Sequence, residues 1–279
     1  MIILRKLFAL KANVTGCIFS RFILGFGLAL TLAGQTLYAQ QSDTDGQKLA
    51  EIQAKAEKGD AKAQLELGNA FSSGGFGLEK NQQEALKWIR KAAEQNYALA
   101  QNDLGVCFVA GKGLEKDQQE AVKWFRKAAE QGFAMSQFNL GTCYYNGNGV
   151  RQDVSEAVKW YRKAAEQNYA LAQSVMGDLY GSGIGMSQDL TEAVKWYRKA
   201  AEQNYASAQR CVGEAYFKGI VVEKNMAEAY KWFSLAAAQG DEDAKGRVRH
   251  LEKKLKKDQI AQVKKQVAEW TEQHKKATN

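Results

Sequence analysis

KAAEQNYALAQNDLGVCFVAGKGLEKDQQEAVKWFR, residues 91–126, is followed at once by KAAEQGFAMSQFNLGTCYYNGNGVRQDVSEAVKWYR, residues 127–162. Two further copies begin at Lys163 and Lys199, so the period is 36 residues. A fixed period in the mid-thirties marks a stack of helical hairpins, each too small to bury its own apolar face and reliant on its neighbours. Such an array presents a surface, so binding takes precedence over catalysis as a reading of the repeats.

The period extends upstream. Residues 54–90 form a 37-residue copy in which FSSGGFGLEK is one residue longer than FVAGKGLEK in the next unit. An insertion between glycines in a loop leaves the helices untouched. Five full units result, at 54–90, 91–126, 127–162, 163–198 and 199–234, the last ending at Gly240, with Trp88, Trp124, Trp160, Trp196 and Trp232 in one column. Residues 40–53 read as a linker and N-terminal half-helix, and residues 241–279 as a degenerate repeat with basic capping helices.

Each unit reads as two helices. AxAQxxLGxxY places Ala98, Gln101, Leu104 and Phe108 on one stripe at spacings of three and four. Gly105 in its middle costs helix stability, about 1 kcal/mol relative to alanine, and so predicts close approach of the paired helix. The second helix opens on Asp117 with Glu120, Asp153 with Glu156, Asp189 with Glu192, and likewise Asn81 with Glu84 and Asn225 with Glu228. That spacing satisfies the unpaired amides of a helix start. Units end at Gly59, Asn96, Gly132, Asn168, Asn204 or Gly240, the residue types that best adopt a left-handed helix end. The turns GKG, GNG and GIG join the two helices, and Val221 in place of the second glycine predicts a different turn in the fifth unit.

The 279 residues contain no proline and are 45% apolar, which suits an all-helical chain. Residues 1–39 differ in kind: Arg5, Lys6, Lys11 and Arg21 without an acid, an apolar run from Phe22 to Ala33, then small residues to Ala39. This is the order of a cleaved secretory signal and predicts a periplasmic or secreted protein with no stable membrane span in the mature chain. Val14 to Cys17 also spell a lipobox, the weaker alternative of a lipid anchor at Cys17. Removing the signal lowers the formal net charge from +8 to 35 basic against 31 acidic residues, and the excess lies from Lys245 onward. Export argues against nucleic acid as a partner, and LEKKLKK followed by IAQVKKQVAEW reads as a solvated helix face. Cys107, Cys143 and Cys211 remain, and the first two share a column. Equivalent atoms in packed helices lie roughly 8–10 Å apart, beyond disulfide reach. They read as small buried thiols standing in for alanine.

LGxxY at Leu140 to Tyr144, GxGVxxD at Gly147 to Asp153 and EAVKWFRKAAEQG at Glu120 to Gly132 resemble the Sel-1-like repeat family, a relative of the tetratricopeptide repeats. The resemblance implies an all-α, right-handed superhelical solenoid of antiparallel helix pairs: five Sel-1-like repeats plus C-terminal capping helices. It further implies a protein-binding adaptor, often exported in bacteria; the chain is expected to be a monomer that needs no cofactor and no metal. Mapping the family's inner-surface positions gives Lys62, Leu65, Asn69 and Ser72; Leu99, Asn102, Val106 and Val109; Met135, Phe138, Thr142 and Tyr145; Leu171, Ser174 and Asp178; and Ser207, Arg210, Glu214 and Phe217. The centre is apolar and aromatic and the ends are polar, as a peptide-binding groove requires. Asn102, Val106, Phe138, Thr142, Tyr145, Asp178, Arg210, Glu214 and Phe217 are the expected partner-binding residues.

A cell-envelope enzyme or enzyme-associated factor acting on β-lactams or peptidoglycan is the competing class, because some exported cysteine-rich relatives of this family have been described as binding or hydrolysing β-lactams. Such chemistry needs a serine with lysine three residues on, and Ser-Asp-Asn and Lys-Thr-Gly elements. None occurs. The two histidines, His250 and His274, both lie near the C-terminus and leave no His-based triad. The expectation is a non-catalytic scaffold.

Overall fold

The structure is a computed structural model that describes residues 44–277. The expected signal segment and Cys17 lie outside the described residues. All regular structure among those described is helical. The chain divides into two compact units, up to Asn81 and from Gln82 onward.

In the first unit, a helix at 44–57 (α1) leads to α2, Ala61–Ser73. Asp60 caps α2 by accepting the Ala63 amide at 2.7 Å, and Gln64 Nε2 donates to Ala56 O at 3.0 Å. Ile52, Ala56, Leu65 and Leu67 form the buried face. The extra loop residue is taken up in a 3-10 turn, Gly75–Gly77, with Phe76 at φ 56°.

The second unit contains α3 (Gln82–Glu94), α4 (Ala98–Ala110), α5 (Gln118–Glu130), α6 (Ala134–Asn146), α7 (Val154–Glu166), α8 (Ala170–Ser182), α9 (Leu190–Glu202), α10 (Ala206–Lys218) and α11 (Met226–Ala238). Each has 13 residues, like α2. α12 (Glu242–Glu252) and α13 (Lys257–Ala277) follow, and both pack on α11. Every helix of the series α3 to α11 packs on the next, so neighbours in sequence are neighbours in space.

The local signals work as the residue types dictate. Asp117, Asp153, Asp189 and Asn225 each accept an amide from the first turn of the helix they open. Asn96, Asn168 and Asn204 have φ of 62–65°, and Gly59, Gly132 and Gly240 have φ of 86–97° at the ends of the second-type helices. Close approach is real at the mid-helix glycines: a Cβ on Gly177 would lie 2.6 Å from the Tyr197 ring of the paired helix. The tryptophan column is core, with Trp160, Trp196 and Trp232 buried and Trp88 and Trp124 half-buried. Trp160 of α7 closes over Ala121 and Phe125 of α5 and Leu140 and Cys143 of α6, so a second helix seals the junction between its own hairpin and the one before. The Nζ of the lysine three residues on lies 4.1–4.2 Å from the ring centroid at Trp88, Trp124, Trp160 and Trp196.

The expectation for Val221 is corrected. Its φ is 66°, the conformation that Gly113, Gly149 and Gly185 adopt in the equivalent turns at 69–75°. Packing of the flanking helices fixes the turn, and a β-branched residue is held in a left-handed conformation that L side chains disfavour.

One interaction repeats at every junction. Gln101, Gln137, Gln173 and Gln209 are buried in the first helices. Each donates through Nε2 to a carbonyl near the end of the preceding helix, on Ala93, Ala129, Ala165 and Ala201, at 3.1–3.2 Å. Each accepts at Oε1 from the glutamine after the following helix, Gln131, Gln167, Gln203 or Gln239, at 2.7–2.8 Å. Arg126, Arg162 and Arg198 add a second tie, donating to Tyr144, Tyr180 and Tyr216 of the next hairpin at 2.7–3.0 Å.

Gln173→Leu removes a donor and an acceptor at once and leaves the Ala165 carbonyl short of a partner. Denaturant titration is expected to show a loss of about 2–3 kcal/mol, against about 1 kcal/mol for exposed-side Gln203→Ala; equal and negligible losses would dismiss the ladder as a stabilising element. Val221→Gly relieves the strained turn and should stabilise by about 1 kcal/mol, read as a Tm rise of roughly 2–4 °C. A lower Tm would show that the valine side chain holds the turn.

Candidate functional site

The first-type helices α4, α6, α8 and α10 carry the expected site residues on one face, and the structure sorts these into three groups. Asn102 is corrected: it is 1% exposed and saturated by internal bonds. Its Oδ1 accepts Ser136 Oγ and Asn139 Nδ2, each at 2.9 Å, and its Nδ2 faces Asp103 Oδ1 at 3.3 Å. It stitches α4 to α6, so neighbouring first helices touch through side chains.

The fifth unit is also different from its sequence expectation. Arg210 Nε pairs with Asp241 Oδ2 at 3.1 Å, while the other oxygen of Asp241 caps α12 at the Ala244 amide. Arg247 of α12 lies 2.6 Å from Glu214 Oε1, and its guanidinium sits 5.1 Å from the centroid of Phe217. Phe217 further meets the rings of Phe233 and His250, at 6.5 and 5.9 Å. Arg210 and Phe217 therefore hold the terminal cap against the stack.

In the middle unit, Phe138 packs between Tyr161, tilted at a centroid distance of 5.4 Å, and Tyr169, edge-on at 5.6 Å. Tyr145 lies partly buried on the cluster that contains Val158 and Tyr161. Thr142 Oγ1 donates to Phe138 O at 3.0 Å and receives the Tyr161 hydroxyl at 3.2 Å. These aromatics are half surface and half core.

Two cavities open on this face. The first, about 220 Å³, lies between the second and third hairpins and is lined by Val106, Val109, Phe125, Asn139, Thr142 and the start of α5 at Gln118. The second, about 560 Å³, lies between the fourth and fifth, where Asp178, Gly181, Leu190, Tyr197, Cys211 and Glu214 line it. Every residue lining the first has a counterpart 72 residues on that lines the second: Val106 with Asp178, Val109 with Gly181, Phe125 with Tyr197, and so through the set. They are one site built twice, two units apart. Of the seven large apolar side chains most exposed among the described residues, five line these cavities: Val106, Val109, Ile184, Leu190 and Ile220.

Val106, Thr142, Asp178 and Glu214 of the expected residues are thus brought into the cavities, two in each. Sequence reasoning missed Gln118 and Leu190, which come from the second helices, and Ile184 and Ile220, which come from the turns. An apolar residue at an exposed helix start, as at Leu190, was the available signal. Sequence reasoning listed Val109, Tyr145 and Phe217 but missed Gly181 in the same column, and with it the alternation of small and aromatic residues from unit to unit. At the intervening position Tyr145 stands where Val109 and Gly181 leave room.

The chemistry of the second cavity is that of recognition. Tyr197 donates its hydroxyl to Asp178 Oδ1 at 2.6 Å, and burial with that bond raises its pKa far above the ordinary phenol value. Burial pushes the Cys211 thiol up to about 11, although Arg210 opposes the shift. Both groups stay neutral near pH 7, so neither is an activated nucleophile. Among the described residues, no group of three or more His, Cys, Asp or Glu is placed to hold a metal ion. Cys107 and Cys143 are free and buried, and burial raises both thiols.

The sequence and the fold match known proteins. A family model described as Sel1 repeat matches residues 61–97, 98–133, 134–169, 170–205 and 206–241. A crystal structure of a Sel1 repeat protein from Oxalobacter formigenes is 33% identical, with a TM-score of 0.66, over 76% of this chain and 86% of that one. A protective antigen of uropathogenic Escherichia coli, described as displaying an SLR fold, is 42% identical with a TM-score of 0.68 over 72% of this chain. The match spans 43% of that antigen's length. A search among curated proteins finds no match. Repeats of this kind build helical scaffolds that typically mediate protein–protein interactions. With five consecutive repeats matched over most of its length, the chain belongs to the Sel1 repeat family.

Proposed function

We propose that this protein is an exported, non-catalytic scaffold that holds a protein or peptide partner on the face formed by α4, α6, α8 and α10. The observation that carries the reading is the gathering of five of the seven most exposed large apolar side chains into two cavities on that face. Apolar pockets with a few polar groups at the rim are the usual form of a side-chain recognition site. Export is supported by the basic, apolar and small-residue order of residues 1–39. No helix among the described residues is long and apolar enough to cross a membrane. The alternative of an envelope enzyme acting on β-lactams or peptidoglycan finds no activated nucleophile in either cavity.

Random peptides displayed on phage and panned against the immobilised full-length protein are expected to yield binders. Val106→Glu and Leu190→Glu, both at exposed positions, should weaken them at least tenfold, about 1.4 kcal/mol, with melting unchanged. Failure to enrich any peptide, or full binding by both charged variants, would place recognition elsewhere. In parallel, a chromogenic β-lactam and purified peptidoglycan should show no turnover, and mass spectrometry of protein from the native host should find an N-terminus near Gln40; turnover, or an intact Met1, overturns the corresponding half of the reading.

A further inference from the structure

We infer that the two cavities are read together, by one extended segment of a partner protein that carries two apolar side chains about six residues apart with a basic residue beside the second. This rests on the scaffold reading above and specifies its ligand. Every lining position of the first cavity recurs in the second, displaced by 72 residues, which is two hairpins, and Ile184, Ala193 and Val194 are added in the second. Adjacent first helices touch through Asn102, Ser136 and Asn139, so each step is one helix-packing distance, about 10 Å, and two steps are about 20 Å. An extended chain rises about 3.3 Å per residue and covers that in about six. Tyr145, at the intervening position between the two sites, is partly buried against the core.

Charge selects the second anchor's neighbour. The first cavity is lined by amides, a hydroxyl, a thiol and apolar groups, and no charged residue contributes to it. The second carries Asp178 and Glu214. Asp178 receives only the Tyr197 hydroxyl and forms no ion pair among the described residues. Glu214 is already paired within the chain, with Arg247 at 2.6 Å and Lys218 at 3.1 Å. A guanidinium or ammonium from a ligand would meet the Asp178 carboxylate there, which has no cation of its own among the described residues. A second copy of this chain is a poor occupant. The exposed apolar side chains it could insert lie mostly inside its own cavities, leaving Met135 and Val221.

The test uses the full-length protein and synthetic Ser/Thr-filled peptides with two leucines separated by three to nine positions, an arginine beside one of them. Affinity, measured by fluorescence anisotropy, should peak near a separation of six and exceed that of the single-leucine peptide at least tenfold, because the second anchor binds at the effective concentration set by the first. Val109→Tyr and Gly181→Tyr install the residue the intervening unit already uses, and a Cβ on Gly181 meets nothing closer than 3.7 Å. Each should reduce the two-leucine peptide to single-leucine affinity without lowering the Tm. Replacing the arginine by glutamate should weaken binding severalfold, and Asp178→Asn should shrink that preference. Affinity independent of spacing, or unmoved by both tyrosine variants, overturns the two-anchor reading while leaving a peptide-binding scaffold intact. Binding of no peptide at all overturns both. A concentration-dependent dimer in sedimentation that Gly181→Tyr disperses, or peptide binding gained only on removing residues 1–39, assigns the cavities to the chain itself and overturns the inference.

Discussion

A primary amide donates and accepts at once, and the stack is organised around that property. Each buried glutamine of the first helices reaches back to an alanine carbonyl of the hairpin before it and forward to the glutamine that ends its own hairpin. Burial makes the arrangement strict, since an unpaired amide away from water costs about 1–3 kcal/mol, more than the bond itself contributes in net terms. The glutamine fixes how far one hairpin slides along the next. Once that register is set, Trp160, Trp196 and Trp232 fall over the alanines and leucines that they cover, and the glycines fall opposite aromatic rings. Surface ion pairs such as Lys159 with Glu156 accompany the helices but are exposed and contribute little to this alignment.

Features governed by neighbours in sequence were legible before the structure. Caps at Asp117 and Asp153, helix ends at Asn168 and Gly240, and the single column of tryptophans follow from residue type and spacing alone. The glutamine column was visible as a motif letter, but its role was not, because its partners lie eight residues upstream and thirty downstream. Asn102 failed as a surface residue for a related reason. A short polar side chain facing another helix is indistinguishable in sequence from one facing water, and only Ser136 and Asn139 reveal the difference. Val221 shows the converse, a local preference overridden by the helices on either side.

The terminal cap accounts for the rest of the misreading. α12 departs from the repeat pattern, so its side chains could not be placed by analogy with other units. Arg247 and Asp241 nevertheless satisfy Glu214 and Arg210, and His250 covers part of Phe217. A solenoid has an exposed end that must be closed, and here closure uses Arg210, Glu214 and Phe217 of the last full unit against α12. The C-terminal helix adds its own seal, with Trp270 against Trp232 at 5.6 Å between centroids and His274 stacked on Trp270 at 4.4 Å.

The column of Val109, Tyr145, Gly181 and Phe217 gives the molecule two different periodicities. Folding counts in single hairpins, because the junctions along α3 to α10 repeat the same glutamine and alanine contacts. The cavities count in pairs, since a small residue must be followed by a large one. Lengthening such a chain by one hairpin would preserve its packing but bring two large or two small residues side by side, closing a cavity or merging two. Lengthening by two would add one more cavity in step with the others. Selection on stability and selection on surface thus act on modules of different size, and relatives that grew or shrank by an odd number of hairpins could keep this fold while presenting a face of another kind.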